Sequence, residues 1–286
     1  MSRAQLVELA RQDLAHGRNG TVDQVNEIVQ IPVENYYDQT RFDDEVAKIF
    51  RRIPLVLAAT AELPNPGDYK ALDAAGVQVL ISRGRTGEVK AFVNMCSHRG
   101  ARLMPEGTGT AHKFSCPYHA WTYSPDGDLI AIYAAEDFGE VDKSCLGLTE
   151  LPCLESAGII WVTLDPNSTL DIKDFLSGYE SMLGEFSLAT WYHQHTQTVQ
   201  GPNWKIAYDG YLDYYHLPIL HKESFGTEIG NQANYYSWGP HTHMGRPDAG
   251  WGKYEQLPDS EWPVEQLLAG VWTIFPHVSI ASFGGG

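Results

Sequence analysis

The stretch from Cys96 to His119, CSHRGARLMPEGTGTAHKFSCPYH, decides how the rest of the chain is read. It holds a Cys-x-His pair, Cys96 and His98, and after seventeen residues a Cys-x-x-His pair, Cys116 and His119. A Cys2His2 zinc finger draws two cysteines from one turn and two histidines from a following helix. Mixed pairs have the wrong order for that motif, so structural zinc is the lesser reading. They suit two facing loops, each giving one thiolate and one imidazole. Such loops can place both sulfurs on one iron and both imidazoles on the other iron of a [2Fe–2S] centre. Neutral imidazoles take negative charge off the cluster and raise its potential, which makes it a relay for single electrons. Gly100, Gly107, Gly109, Pro105 and Pro117 permit sharp loops around a bulky inorganic core, and Trp121 and Tyr123 are placed to shield it from water.

At 286 residues and 43% hydrophobic composition, the chain has room for two domains, or for one and a large part of a second. Lys and Arg number 20 against 36 acidic residues, a formal charge of -16. That balance argues against nucleic acid or an anionic membrane as partner; it serves solubility, or offers an acidic face to a redox partner. Cys145 and Cys153, the remaining two of four cysteines, read as free thiols of a cytoplasmic protein. The opening MSRAQLVELARQDL is amphipathic and charged rather than secretory, and no apolar run approaches the ~18 residues that span a bilayer.

Leu6, Leu9, Ala10 and Leu14 stand at helical spacing, and Gly17 and Gly20 are expected to end that helix. A second helical pattern covers Phe42 to Phe50. From Pro54 the period becomes that of strands: Leu55 to Ala58, a hairpin of Val77 to Ser82 and Val89 to Asn94 running into Cys96, and a further hairpin, Lys113 to Cys116 and Trp121 to Tyr123, carrying the second ligand loop. Gly158 to Leu164 closes this β region. Asp171 to Leu183 is expected to be helical and Val271 to Ser282 a single apolar strand.

The second informative stretch is residues 202 to 221, PNWKIAYDGYLDYYHLPILH. On one helix Asp209, Asp213 and His216 share a face. His221 lies too far round an ideal helix to join them, but Pro218 disfavours regular continuation, and a bend there brings both imidazoles together. Two histidines and a carboxylate around iron(II), with positions open for O2, form the facial triad of non-haem oxygenases. His193, His195, His241 and His243 read as pocket lining or surface, His112 as loop, and Arg99 and Tyr118 as packing and hydrogen bonding around the cluster.

The pattern Cys-x-His-Arg-Gly followed by Cys-Pro-Tyr-His-x-Trp resembles the Rieske domain of ring-hydroxylating oxygenases. With residues 202 to 221 included, the chain from about Tyr36 onward resembles the large (alpha) subunit of Rieske non-haem iron aromatic-ring-hydroxylating oxygenases. The resemblance implies an α+β protein: an N-terminal helical arm over residues 1–45, a small all-β Rieske [2Fe–2S] domain over 46–165, and an incomplete helix-grip catalytic domain, antiparallel sheet plus helices, over 166–286. It implies a cluster on Cys96, His98, Cys116 and His119 and a mononuclear Fe(II) on His216 and His221. Asp213 and Asp209 are the candidate catalytic carboxylates. Asp213 is implied to link His216 or His221 to His119 of a neighbouring subunit, and Asp209 stands where the family often has asparagine. The family's third iron ligand lies on a later helix, so the chain reads as C-terminally truncated, although Asp209 or Asp213 filling that place stays open.

The implied activity uses O2 and electrons relayed from NAD(P)H through a ferredoxin or reductase to hydroxylate a small aromatic or similar apolar substrate, cis-dihydroxylation being favoured. A homotrimer or α3β3 assembly is implied. Tyr208, Tyr211, Tyr214, Tyr215 and Phe225 suit an aromatic substrate or a core equally. A monooxygenase or oxidative demethylase with the same metals is the nearest rival. A pure Rieske electron carrier and a metal-free binding module are rivals of other classes.

Overall fold

A computed structural model describes residues 2–227 and 229–282. Two compact units emerge: residues 43–175 with 187–195, and residues 1–42 with 176–186 and 196–286.

The first unit is built on an antiparallel five-stranded sheet, in the order Gly107–Thr110, Asp68–Ala74, Val77–Arg83, Val89–Val93, Glu150–Leu151. Its central strand is buried on both faces, with Val79, Leu80 and Ile81 all 0% exposed. Successive side chains of a strand point to opposite faces, so this apolar run feeds two cores. Val79, Ile81, Ala91 and Leu151 pack with Leu55, Leu57, Ile160 and Val162 of a three-stranded sheet, Leu55–Ala59, Ile159–Val162 and Cys153–Ser156. Leu80 and Phe92 face the other way, onto Phe114, Tyr123 and Leu129 of a second three-stranded sheet, and this core also contains Cys96 and Cys116. The expected hairpins are present. Val77–Arg83 pairs with Val89–Val93, and Phe114–Ser115 with Thr122–Tyr123. Cys96 and Cys116 thus sit on the back of the unit's main sheet.

The second unit has a four-stranded antiparallel sheet in chain order: Asn234–Trp238, His241–Gly245, Gly270–Ile274, Val278–Ser282. Helix Ser2–Asn19 buries Leu6, Leu9, Ala10 and Leu14. It runs through Gly17, contrary to the expected stop. A Cβ at Gly17 would come 2.4 Å from the backbone N of Ala249, so this glycine permits close approach of the chain, and Gly20, at φ +61°, follows the helix end.

Three further expectations are corrected. Val271 to Ser282 is a hairpin rather than one strand, since Pro276 has no N–H to continue the ladder and the turn closes with His277 N–H donating to Ile274 O at 3.2 Å. Asp171 to Leu183 is two short helices, Ile172–Leu176 and Tyr179–Leu183, separated where Ser177 and Gly178 adopt positive φ. Residues 202 to 221 are not one helix. Trp204–Asp209 stops at Gly210, and Leu217–Leu220 begins after a series of turns. Among the described residues no helix is long and apolar enough to cross a membrane.

Candidate metal centres

The two loops bearing the Cys and His pairs close by one device. Cys96 N–H donates to Ala101 O at 2.8 Å, and Gly100 N–H returns to Cys96 O at 2.9 Å. Cys116 N–H donates to Trp121 O at 2.8 Å, and Ala120 N–H returns to Cys116 O at 2.9 Å. The residue four past each cysteine turns through positive φ, Gly100 at +71° and Ala120 at +57°. Strand pairing flanks both loops: Ser115 with Thr122 at one, and an isolated bridge between Met95 and Arg102 at the other. Each loop is therefore closed by backbone hydrogen bonds of its own.

The four side chains divide by depth. Cys96 and Cys116 are 2% and 4% exposed, whereas His98 and His119 are half-buried, with ring centroids 4.8 Å apart. Trp121 stacks on His98 at 4.7 Å with rings 8° from parallel, and Tyr118 stacks on His119 at 3.8 Å. Desolvation, then the neighbouring His119 and Arg99, lowers His98 below the ordinary imidazole range. Its Nδ1 is buried without a hydrogen-bond partner, the condition of a nitrogen awaiting a metal. Two thiols inside and two imidazoles outside is the donor set a [2Fe–2S] centre of this type takes, two ligands to each iron. The Tyr123 hydroxyl lies 3.2 Å from Cys96 Sγ and accepts from Ser97 N–H at 3.0 Å. Burial first, then that contact with Cys96, pushes the phenol up to about 12. The sequence marks Tyr123 as a shield and gives no sign of this bond.

In the second unit, Asn203 Oδ1 caps helix Trp204–Asp209 by accepting from Lys205 N–H at 3.0 Å. Pro218 sits in the first turn of Leu217–Leu220, where it starts the helix rather than breaking one, and the chain bends at His221. The rings of His216 and His221 come within 5.3 Å, centroid to centroid. Asp213 Oδ1 accepts from both His216 N–H, at 3.1 Å, and His216 Nδ1, at 2.9 Å. Burial opposes ionisation of Asp213, but these bonds outweigh it and hold the carboxyl below the usual range. A carboxylate at Nδ1 fixes the tautomer and leaves Nε2 as the free lone pair, which fits an iron ligand.

Asp209 is not part of this arrangement. It accepts from the Tyr36 hydroxyl at 2.9 Å, because the helix that was expected to align it with Asp213 ends at Gly210. Among the described residues no group of three or more His, Cys, Asp or Glu converges on one ion. His193 and His195 lie exposed in an extended segment, and His112 is exposed in a loop. His241 and His243 are fully or nearly fully buried on one strand. His243 lines a cavity of about 320 Å³ together with Tyr214 and Leu217, which flank His216, and with Asp13 of the N-terminal helix. The sequence does carry a signal for Asp13: it continues the Leu6, Leu9, Ala10 spacing and so puts an acid in an apolar stripe.

Residues 54–151 match the Rieske [2Fe-2S] domain, and residues 188–285 match the ring hydroxylating alpha subunit (catalytic domain). The matched domains indicate a Rieske cluster and a mononuclear iron. The carnitine monooxygenase oxygenase subunit of Escherichia coli is 32% identical over 199 residues, which are 67% of this chain and 52% of that protein. The anthranilate 1,2-dioxygenase large subunit of Acinetobacter baylyi is 30% identical over 204 residues, 68% of this chain and 43% of that protein. The chain thus spans about half the length of these relatives. A crystal structure of a quaternary ammonium Rieske monooxygenase in complex with an inhibitor aligns with TM-score 0.68 and 27% identity, covering 75% of this chain and 61% of the other.

Proposed function

The chain belongs to the Rieske oxygenase large subunits, and from that premise we propose that it is the oxygenase component of a system carrying electrons from NAD(P)H, through a ferredoxin or reductase, to O2 and a small organic substrate. The carrying observation is the cluster site: two buried thiols behind two imidazoles whose rings lie 4.8 Å apart, on loops closed by their own backbone. When bound, the cluster supplies single electrons and the ferrous ion offers positions to O2. Cys96, His98, Cys116 and His119 are the cluster ligands in this reading. Trp121 and Tyr118 keep the two imidazole planes in place by stacking, and Tyr123 donates to Cys96 Sγ. His216 and His221 hold the mononuclear iron, and Asp213 orients His216.

Exposed apolar side chains beside both centres support assembly of copies in a homotrimer or α3β3 particle. Tyr118 is 60% exposed next to His119, and Tyr215 and Ile219 are 74% and 76% exposed around His216. Head-to-tail packing of these patches would let Asp213 bridge His216 and His119 of the partner subunit.

Monooxygenation is the reading that the carnitine monooxygenase relative favours, and anthranilate 1,2-dioxygenase supports a second, cis-dihydroxylation of an aromatic ring. Turnover with ferredoxin, reductase and NADH under 18O-labelled O2 separates them, since a hydroxylated product carries one labelled atom and a cis-diol two. In a full-length version, Asp213→Ala is expected to keep the cluster's visible spectrum and abolish turnover. Undiminished turnover would overturn the bridging role.

A further inference from the structure

The peptide that carries His216 is held on two sides. On one, half-buried Asp213 bonds the His216 ring and amide. On the other stands Tyr214, 8% exposed, which none of the foregoing roles employs. Its ring packs with Ala233, Met244 and Val271. Its hydroxyl donates to Met244 O at 2.8 Å, thirty residues along the chain on strand His241–Gly245. Its carbonyl accepts from Leu217 N–H at 3.1 Å, closing the turn that has His216 inside it. One residue therefore joins the sheet, through its side chain, to the ligand-bearing turn, through its backbone.

The acceptor is firm and kept open. Met244 is paired with Tyr235 on one neighbouring strand and with Val271 on the other, so its carbonyl does not shift without the ladder. Beside it Gly270 stands at φ +123°, and a Cβ there would come 2.4 Å from Met244 O. Packing alone does not fix the donor. Tyr214, Leu217 and Phe225 all border the 320 Å³ cavity; Leu217 follows His216, and Phe225 stands edge-on to His221 with centroids 6.2 Å apart. A side chain bordering open space lacks contacts on that side and keeps its place through directed bonds. Two other phenols reach this part of the chain, Tyr36 to Asp209 and Tyr235 to Leu212 O at 2.6 Å. Both of those bonds lie at the surface, where water competes, whereas that of Tyr214 is buried.

We infer that Tyr214 is a positioning residue of the mononuclear-iron site: its buried hydroxyl, anchored on Met244 O, fixes the turn in which Asp213 orients His216. It thereby sets the spacing of His216 and His221, whose ring centroids are 5.3 Å apart. The hydroxyl acts through the backbone of residues 214–217. This role rests on the proposed oxygenase reading for the identity of the ion, whereas the hold of Tyr214 on the turn is read without that ion.

The test uses Tyr214→Phe, which keeps the ring and removes only the hydroxyl, with Tyr235→Phe as its surface counterpart. The first arm is hydrogen exchange, read by mass spectrometry, on the cluster-loaded chain without further metal. Peptides spanning residues 211–221 should open about fivefold faster in Tyr214→Phe, the worth of one buried neutral hydrogen bond, while strand Val77–Arg83 is unchanged. Tyr235→Phe should change them less than twofold. In the second arm manganese(II), standing in for the ferrous ion, is titrated into the same protein with its cluster oxidised, and paramagnetic resonance counts the free ion. The binding that His216→Ala removes should weaken about fivefold in Tyr214→Phe, with an altered line shape of the bound ion, and Tyr235→Phe should preserve both. Equal effects of the two variants, exchange that rises alike in every peptide, or unaltered manganese(II) affinity would each overturn the inference. Absence of His216-dependent manganese(II) binding in the unsubstituted protein would instead count against the mononuclear-iron reading. The exchange arm then decides alone, and unchanged exchange in Tyr214→Phe overturns the anchoring role.

Discussion

The loops around Cys96 and Cys116 and the segment around His216 and His221 hold their candidate ligands in different ways. Each cluster loop is tied by two backbone hydrogen bonds between a cysteine and the residues four and five beyond it, and is anchored in a core containing Phe92, Phe114 and Tyr123. The histidine segment is a chain of short helices tied to the sheet by side-chain bonds, Tyr214 O–H to Met244 O at 2.8 Å and Tyr235 O–H to Leu212 O at 2.6 Å, with Asp213 bonding His216 locally and with Tyr215, Ile219 and Leu220 more than 70% exposed. The difference teaches that the cysteine loops are held mainly by their own backbone, whereas the histidine pair depends on side-chain bonds.

The largest expected effect probes that anchoring. Phe114→Ala removes a fully buried ring beneath the second loop and should cost about 3–5 kcal/mol, measured by urea unfolding, with loss of bound iron and sulfide. Tyr215→Ala, on the exposed histidine segment, should stay within about 0.5 kcal/mol. Similar costs at both positions would erase the contrast.

Next in size is the pH dependence of the second unit, where Asp13 and His243 oppose one another. The folded-state value of Asp13, about 6, lies above its unfolded 3.8, so its contribution is present below about pH 4 and is lost as pH rises through 6. That of His243, about 4, lies below its unfolded 6.5, so its contribution is present above 6.5 and is lost as pH falls toward 4. Each amounts to roughly 3 kcal/mol, and together they nearly cancel. Thermal unfolding of the unsubstituted protein should therefore vary little from pH 4 to 6. Asp13→Asn should weaken on acidification and His243→Phe on alkalinisation. Parallel pH profiles for the two variants would contradict these assignments.

Tyr123→Phe should leave the cluster bound but lower its reduction potential by on the order of 50 mV, since a hydrogen bond worth about 1 kcal/mol no longer drains charge from Cys96 Sγ. Redox titration reads this, and an unchanged potential would show that the contact carries no charge. The smallest effect compares the two loops with each other. Gly100→Ala should destabilise by about 1 kcal/mol, being at positive φ with Met95 Sδ 3.3 Å from the added Cβ. Ala120→Gly, relieving the same backbone conformation, should stabilise by about 0.5 kcal/mol.

The same contrast explains what was legible in the sequence. The cluster loops could be read because ligands, turn residues and flanking strands are contiguous, and because the run around Leu80 announces a strand buried on both faces. The pairing of Asp213 with His216 survived a wrong backbone expectation, since a contact three residues apart forms in a turn as well as in a helix. Asp209 did not, because its alignment needed the helix to continue past Gly210. The single strand expected from Val271 to Ser282 overlooked the turn that Pro276 imposes. The Asp13 and His243 pair joins residues 230 positions apart, and only the acid within the Leu6, Leu9, Ala10 stripe hinted at it.

The most direct measurement is the content of iron and acid-labile sulfide per chain after anaerobic reconstitution, with electron paramagnetic resonance of the dithionite-reduced protein. Two sulfides and up to three irons are expected, with a reduced-cluster signal that Cys116→Ser abolishes and that His216→Ala leaves intact while removing at most one iron. Protein that takes up no sulfide and gives no such signal would contradict the assignment of Cys96, His98, Cys116 and His119 as a cluster site.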